Sequence, residues 1–277
     1  MRNQIVKKEK IASKTYSFWI YHPEIVSHYK PGQFIILRVT EKGERIPLTI
    51  VEVDREKEIF RIIFQVVGKS TRLLSKIDEN EMILDILGPL GNEVRINKDV
   101  ANILFVGGGI GIAPLFSKIK EFLKEKKLKG SVILGARSSE NLILENEILE
   151  ITRNIYITTD DGSKGKKGFV TDALRDLLNT NEDIDLVISA GPVKMMKKTV
   201  EIAKKNKIDI LVSLNTLMID GTGMCGGCRI EYDNKTRFTC VDGPVFDGYK
   251  VNFQQLIKRN NQYHSHECKI KNLEDNL

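Results

Sequence analysis

Cysteine is scarce in this chain, with four in 277 residues. Three of them, Cys225, Cys228 and Cys240, crowd into sixteen positions. That crowding excludes the spread disulfide framework of a small secreted domain and predicts a metal site in a reducing compartment. No stretch of eighteen apolar residues occurs, so no helix is expected to cross a membrane. The first ten residues, Met-Arg-Asn-Gln-Ile-Val-Lys-Lys-Glu-Lys, lack the apolar core of a secretory leader. The cytoplasm is the expected compartment. The net charge is +6, but charge of one sign is nowhere segregated. Acids interleave with the lysines, as in Lys118-Ile-Lys-Glu-Phe-Leu-Lys-Glu-Lys-Lys127, which predicts the solvated face of an amphipathic helix. A nucleic-acid stripe needs clustered basic residues without such acids, so no nucleic-acid partner is expected. Internal repeats and low-complexity segments are absent as well.

What is present suits about two globular domains, at 41% hydrophobic and 29% charged residues. Over residues 1–97 the pattern predicts strands at Gln4–Ile11, Thr15–Tyr21, Gln33–Val39, Leu48–Val53, Ile59–Val67 and Met82–Leu87. They are short, β-branched and separated by turn signals such as Lys30-Pro-Gly32. With one helical patch at Ser70–Lys76, they fit a small antiparallel β-barrel that Gly88-Pro-Leu-Gly91 closes. From Asn102 the rhythm changes. Ile103–Val106, Val132–Leu134, Ile155–Ile157, Leu186–Ile188 and Ile210–Val212 are short apolar runs, most of them alternating with amphipathic helices. This predicts an α/β doubly wound parallel sheet over residues 98–215. Residues 216–277 hold the cysteines and a polar tail, expected to be a helical turn or a frayed end.

The turn Gly107-Gly108-Gly109-Ile110-Gly111 lies between a predicted strand and a predicted helix. Glycines there let backbone approach a ligand, and a helix start offers free N–H groups to a phosphate. It is not the G-x-G-x-x-G fingerprint, and alone it equally suits a tight turn with nothing bound. Three further strand ends are polar or glycine-rich: Gly135-Ala-Arg137, Thr159-Asp160-Asp161-Gly162 and Ala190-Gly191-Pro192. Open α/β sheets bind ligands outside the carboxyl ends of their strands, so together these ends predict a site.

In the barrel, Arg45-Ile-Pro47-Leu48-Thr49 opens a strand, and Gln65-Val66-Val67-Gly68-Lys-Ser70-Thr71 ends one and starts a helix. A threonine hydroxyl can bond a flavin ring edge, and free N–H groups at Ser70 and Thr71 can hold a pyrophosphate. By spacing alone these are a strand start and a helix cap at Ser70. The combination is more specific. Pro31-Gly-Gln-Phe34, Arg45–Thr49 and Gly68-x-Ser-Thr71, followed by Gly107-Gly-Gly-Ile-Gly-Ile-Ala113-Pro114, resembles the ferredoxin–NADP⁺ reductase superfamily over about residues 5 to 250. The resemblance implies FAD on the barrel and a nicotinamide nucleotide on the α/β domain, with Ala113 and Pro114 in the nucleotide loop. One departure stands out. The superfamily commonly has arginine three places before the Ser/Thr. Ile46 occupies that position here, and Arg45 lies one place earlier.

Asp220-Gly-Thr-Gly-Met-Cys225-Gly-Gly-Cys228 and Cys240 admit three centres. A structural zinc wants four closed ligands, and only one Cys-x2-Cys pair exists; His264, His266 and Cys268 are the candidate extras. A redox dithiol would not need Cys240. A [2Fe–2S] cluster needs four ligands in a loop whose N–H groups face the sulfides, and glycines 221, 223, 226 and 227 supply that freedom. The flavin and nucleotide sites implied upstream favour the cluster, held by Asp220, Cys225, Cys228 and Cys240. Cys268 is then expected to be a free thiol, and the two histidines solvated. The electron-transfer subunit of dihydroorotate dehydrogenase looks similar but has cysteine where Asp220 stands. Asp220 and the run Val241-Asp-Gly-Pro-Val-Phe-Asp247 resemble the small subunit of NADH-dependent reduced ferredoxin:NADP⁺ oxidoreductases. Asp220 can also be a simple turn residue beside Gly221.

That resemblance implies hydride exchange between nicotinamide and flavin, then single electrons passing through the cluster to a larger flavin and iron–sulfur subunit. Ferredoxin is reached only through that complex, which couples NADH and reduced ferredoxin to NADP⁺ by bifurcation. The cofactors carry the chemistry, so no catalytic acid or base is expected. Arg137 with Ser138 and Ser139 suits a 2′-phosphate, and Glu140 a ribose hydroxyl; the resemblance tips the choice toward NAD(H), with NADP(H) open. Two rival readings are the dihydroorotate dehydrogenase subunit and a non-catalytic sensor of redox state.

Overall fold

A computed structural model describes residues 1–180 and 183–261. His264, His266 and Cys268 lie outside the described residues. The first sheet comprises β1 (Gln4–Ala12), β2 (Thr15–Tyr21), β3 (Phe34–Arg38), β4 (Arg45–Asp54), β5 (Ile59–Gln65) and β6 (Asp85–Leu90). Its order is β1-β2-β5-β4-β3-β6, antiparallel throughout. The Ile5 amide donates to the Glu81 carbonyl at 2.9 Å, and the Ile83 amide to that of Asn3 at 3.0 Å. The first strand thus returns to the chain entering the last, which closes the barrel between β1 and β6. Two short helices interrupt it, α1 (Pro23–His28) and α2 (Lys69–Leu74). The pattern had not signalled α1, because six residues with only Ile25 and Val26 buried are too few to show a period. Phe18 and Phe64 meet edge to face at 5.1 Å in the barrel core.

The second sheet contains β7 (Asn102–Gly108), β8 (Lys129–Ala136), β9 (Ile155–Thr159), β10 (Lys166–Lys167), β11 (Leu186–Ala190) and β12 (Asp209–Ser213). The helices between are α3 (Ile112–Ile119), continued by a wider turn over Lys120–Glu125, then α4 (Glu145–Leu149), α5 (Val170–Leu178) and α6 (Val193–Lys205). Strand order is β10-β9-β8-β7-β11-β12, all parallel. The order reverses between β7 and β11, where ligands bind in this architecture.

The cysteine-bearing segment adds a hairpin, β13 (Arg229–Tyr232) and β14 (Lys235–Phe238), turned by Asp233 and Asn234 at φ of 52° and 57°. Positive φ at both turn residues matches the twist of the strands it joins. Then come α7 (Thr239–Asp242), β15 (Val245–Asp247), which extends the parallel sheet antiparallel to β12, and α8 (Phe253–Asn260). The polar-looking stretch beyond Phe253 is therefore a helix in its first two turns. Phe253 and Leu256, three apart, are enough to seat it in the core shared by the parallel sheet and β13.

The two sheets share one core. Val51 of β4 and Ile63 of β5 pack with Ile112, Phe116 and Ile119 of α3. This is why β5 is apolar along nearly its whole length: both its faces are covered.

Candidate functional site

At the switch point the glycines are fixed by packing. A Cβ on Gly111 would run into the Ala190 carbonyl and stand 2.6 Å from Gly191 Cα, and one on Gly107 would lie 3.2 Å from Ile112 Cα. Gly109, at φ +56°, is different: a Cβ there meets nothing within 4 Å. The turn thus brings the ends of β7 and β11 together and leaves Gly109 and Ile110 facing open space. Ala113 and Pro114 follow in the first turn of α3, where a missing N–H is tolerated.

Beyond it, the ends of β8 and β9 are stapled. The Asp160 and Asp161 amides donate to the carbonyls of Ala136 and Arg137 at 3.1 and 3.2 Å. Asp161 accepts the Ser163 hydroxyl and amide, at 2.7 and 2.9 Å, and these bonds hold its carboxyl below the usual range. Asp161 is therefore occupied in shaping the loop, while Asp160 is exposed. Arg137 is exposed, as are Ser139 and Glu140, with the Ser139 amide tied to the Ser163 hydroxyl at 2.7 Å. Gly162 and Gly191 both take positive φ, at 80° and 153°, and Pro192 precedes α6.

No motif along the chain marks Phe169. It is 61% exposed at the start of α5, next to Gly168, whose amide bonds the Thr159 carbonyl at 3.0 Å. A bare phenylalanine on the same rim as Arg137 is the signal that could have found it, once the rim was known.

On the barrel, β4 pairs with β5 over Ile50–Asp54 and then parts from it, so residues 45–49 pair with β3 alone. Pro47, Leu48 and Thr49 therefore line a half-exposed edge, where proline's lack of an N–H is harmless. The end of β5 faces the same opening: Gln65 and Val66 are half-buried, Val67 is exposed, and a Cβ on Gly68 would meet nothing within 4 Å. The helix cap here is not Ser70. Gly68 takes that position, and the Thr71 hydroxyl folds back to accept the Val67 and Gly68 amides at 3.0 and 3.1 Å. Arg45 is engaged elsewhere, 3.0 Å from Asp85 across the sheet.

Where barrel and sheet meet, Arg61 of β5 is buried with both terminal nitrogens 3.2 Å from Glu147 of α4 and its Nε 2.8 Å from the Ser17 hydroxyl. Lys120 bonds Glu52 of β4 at 2.6 Å. These pairs join the barrel, with its β5 loop, to the parallel-sheet part that carries the glycine turn.

The cysteine loop lies against the barrel. Cys228, Cys240 and Met218 pack with Phe34 and Ile36 of β3, beside Leu90 of β6, and Gly221 approaches so closely that a Cβ would stand 2.6 Å from Leu90. The Cys228 and Cys240 sulfurs are 3.2 Å apart and buried, whereas Cys225 is exposed. Burial, and then the neighbouring Cys228, pushes the Cys240 thiol up to about 12. Asp220 joins this group through the loop backbone: its two oxygens accept the Thr222 and Cys225 amides at 2.9 and 2.7 Å, which hold its carboxyl low. Gly221, Gly223 and Gly226 take φ of 78°, 84° and 66°, and the Gly227 amide donates to the Cys225 sulfur at 3.4 Å. Among the described residues no three His, Cys, Asp or Glu side chains converge as a ready-made site for a single ion. Soft sulfur donors in a loop whose amide turns toward sulfur fit an iron–sulfur centre.

Residues 215–252 match the iron–sulfur cluster binding domain of dihydroorotate dehydrogenase B, and residues 105–201 match the oxidoreductase NAD-binding domain. A Thermotoga maritima protein named as a homolog of the electron-transfer subunit of dihydroorotate dehydrogenase B (NAD⁺) is 45% identical, over 96% of this chain and 93% of its own. The chain belongs to this family of electron-transfer subunits. It is a member of an oxidoreductase family that binds FAD, NAD(H) and an iron–sulfur cluster and serves a multi-subunit complex. A solved chain of the NADH-dependent reduced ferredoxin–NADP oxidoreductase, studied for flavin-based electron bifurcation, superposes with a TM-score of 0.91. It is 43% identical and covers 100% of this chain and 99% of that one. Phthalate dioxygenase reductase, at 16% identity and a TM-score of 0.65 over 87% of this chain and 94% of that one, shares the fold. Among the described residues no helix is long and apolar enough to cross a membrane.

Proposed function

We propose that this electron-transfer subunit is the small subunit of an NADH-dependent reduced ferredoxin:NADP⁺ oxidoreductase. In this reading it passes electrons between NAD(H), FAD and a [2Fe–2S] cluster and on to a larger flavin and iron–sulfur subunit. The observation that carries the reading is the seat of the cysteine loop. Two of its thiols pack on β3 and β6 of the barrel, so the metal ligands and the open edge at residues 45–49 belong to one rigid body. Asp220, in the place where the sister subunits have cysteine, and the extent of the likeness to the solved oxidoreductase chain favour this member of the family.

The cofactors, when bound, supply two-electron acceptance from the nicotinamide and one-electron transfer onward. The protein's own part is position and exclusion of water. Residues 1–97 form the FAD unit in this proposal, 98–215 the nucleotide unit and 216–277 the cluster unit with its tail. Pro47, Leu48, Thr49, Gln65, Val66 and Val67 line the flavin, and Gly68, Ser70 and Thr71 its phosphates. Arg45 can join them only by giving up Asp85. Gly107 through Gly111 with Ala113 and Pro114 carry the nicotinamide nucleotide, flanked by Gly191 and Pro192. Arg137, Asp160 and the exposed Phe169 hold its adenosine end, on a loop that Asp161 and Gly162 shape. Asp220, Cys225, Cys228 and Cys240 hold the cluster, and free thiols of this kind suit the cytoplasm.

Iron, sulfide and flavin analysis of the purified chain tests the core of this. About two iron, two sulfide and one FAD per chain are expected; stoichiometric zinc without sulfide refutes it. The names of the curated relatives support a second reading, the dihydroorotate dehydrogenase subunit. Co-purification decides between them: a large subunit carrying flavin and further clusters supports the first, and one that oxidises dihydroorotate supports the second. Bifurcation is tested on the complex by NADP⁺ reduction that requires both NADH and reduced ferredoxin. Steady NADH oxidation with an artificial acceptor counts against a sensor without turnover.

A further inference from the structure

Two arginines grip the backbone between Cys225 and Cys228. The Arg229 guanidinium donates to the Gly226 carbonyl at 3.0 Å, and the Arg259 guanidinium donates to the Gly227 carbonyl at 3.2 Å. Arg259 comes from α8, outside the residues that match the cluster-binding domain. Neither peptide is cis. In a trans peptide the carbonyl of one residue and the N–H of the next point in opposite directions. Pulling the Gly226 carbonyl toward Arg229 therefore turns the Gly227 N–H the other way, and that N–H meets the Cys225 sulfur at 3.4 Å. Pulling the Gly227 carbonyl toward Arg259 turns the Cys228 N–H away from Arg259 in the same manner. Glycine at 226 and 227 leaves both peptides free to swing. The Arg229 amide also donates to the Gly226 carbonyl at 3.3 Å, so the turn itself helps to hold the first peptide, while the second is held from α8 by Arg259.

We infer that Arg229 and Arg259 are positioning residues that set the reduction potential of the iron–sulfur centre. They do so by holding the 226–227 and 227–228 peptides with their N–H groups toward the sulfur ligands. This rests on the proposed cluster ligation by Cys225 and Cys228. Hydrogen bonds to ligand sulfur stabilise the more negative, reduced form, and two nearby guanidinium charges act in the same direction. Arg259, half-buried, carries more of the effect than Arg229, which is exposed.

The test is an EPR-monitored redox titration of the cluster-loaded full chain and of Arg229→Gln, Arg259→Gln and Arg259→Lys. Arg259→Gln is expected to disfavour the reduced state about tenfold, a potential lower by about 59 mV for one electron. Arg229→Gln should give a smaller shift of the same sign. Arg259→Lys, which keeps the charge and one donor, should recover at least half of the loss. Potentials within twofold of the parent in both glutamine variants, at unchanged iron and sulfide content, overturn the inference. Should Arg259→Gln take up no cluster, the lysine variant decides. A loaded chain near the parent potential supports the tether, and failure of both to load shows a purely structural role and overturns it. A parent chain without iron and sulfide would sink the cluster assignment itself, an outcome separate from unshifted potentials in loaded variants.

Discussion

Replacing Lys118 by methionine should stabilise the protein at neutral pH and remove a pH dependence that the parent chain carries. Lys118 lies on α3 with no exposed surface, its Nζ donating to the Pro114 carbonyl at 2.5 Å and its stem reaching toward Gly32 of the barrel. Burial pushes its pKa down from the ordinary 10.5 to about 7, with Glu121 offsetting part of the effect. Below pH 7 the folded and unfolded chains both hold the proton, and above 10.5 neither does. Between those limits the unfolded chain binds a proton that the folded chain has shed. Stability from this group therefore rises with pH across the window, by up to about 1.4 kcal/mol per pH unit. From pH 7 to 9 that amounts to about 2–3 kcal/mol. Methionine fills similar space without the charge and loses one hydrogen bond, worth about 1 kcal/mol. The net expectation at pH 7 is a gain of about 2–4 kcal/mol. Denaturant unfolding of both proteins from pH 6.5 to 9.5 is the assay. Parallel stability profiles, or a methionine variant weaker at every pH, would refute the reasoning.

Glu147→Ala should destabilise by about 1–2 kcal/mol. Breaking a buried pair costs about 3–5 kcal/mol, discounted here because Glu147 is 39% exposed and Glu52 stays 3.8 Å from Arg61. A melting temperature unchanged from the parent would count against the Arg61 pairing as a domain clasp. Gly111→Ala forces a methyl into the Ala190 carbonyl and should cost about 1–3 kcal/mol. It should also weaken NADH binding while leaving flavin content intact; equal loss of both would show that the damage is not local to the switch point. Phe169→Ala removes an exposed ring, so the melting temperature should hold while NADH affinity falls roughly fivefold, about 1 kcal/mol of base stacking. Unaltered titration of the loaded protein with NADH would remove Phe169 from the site.

Much of the architecture was legible because it depends on local pattern. The apolar runs of β7, β8, β9, β11 and β12 are continuous because both faces of a parallel sheet are covered, and such runs announce themselves. The proposed site rests on residues that stand out in the sequence where chemistry restricts residue type, as at Gly107–Gly111 and at the three cysteines. Short elements escaped: α1 and α8 each bury two residues of their own, below what a periodic signal needs. The cap at residues 68–71 was misplaced onto Ser70, since serine favours that position. The choice among Gly68, Ser70 and Thr71 depends on where β5 ends.

The sequence by itself determined the order of the parts, the glycine turn after β7 and a thiol-rich loop with Asp220 in it. All of these follow from residue type and spacing along the chain. Only the tertiary structure decided which side chains are free to act. Asp161, Arg45 and Thr71 are each held by a partner, while Phe169 is left bare. It also decided that Cys228 and Cys240 rest on β3 of the barrel, and that Arg259, nineteen residues beyond the last of those cysteines, grips their loop. Spacing along a strand or helix is fixed by covalent geometry and can be counted. Contacts between residues far apart in sequence are set by how whole sheets pack, and no count along the chain contains them.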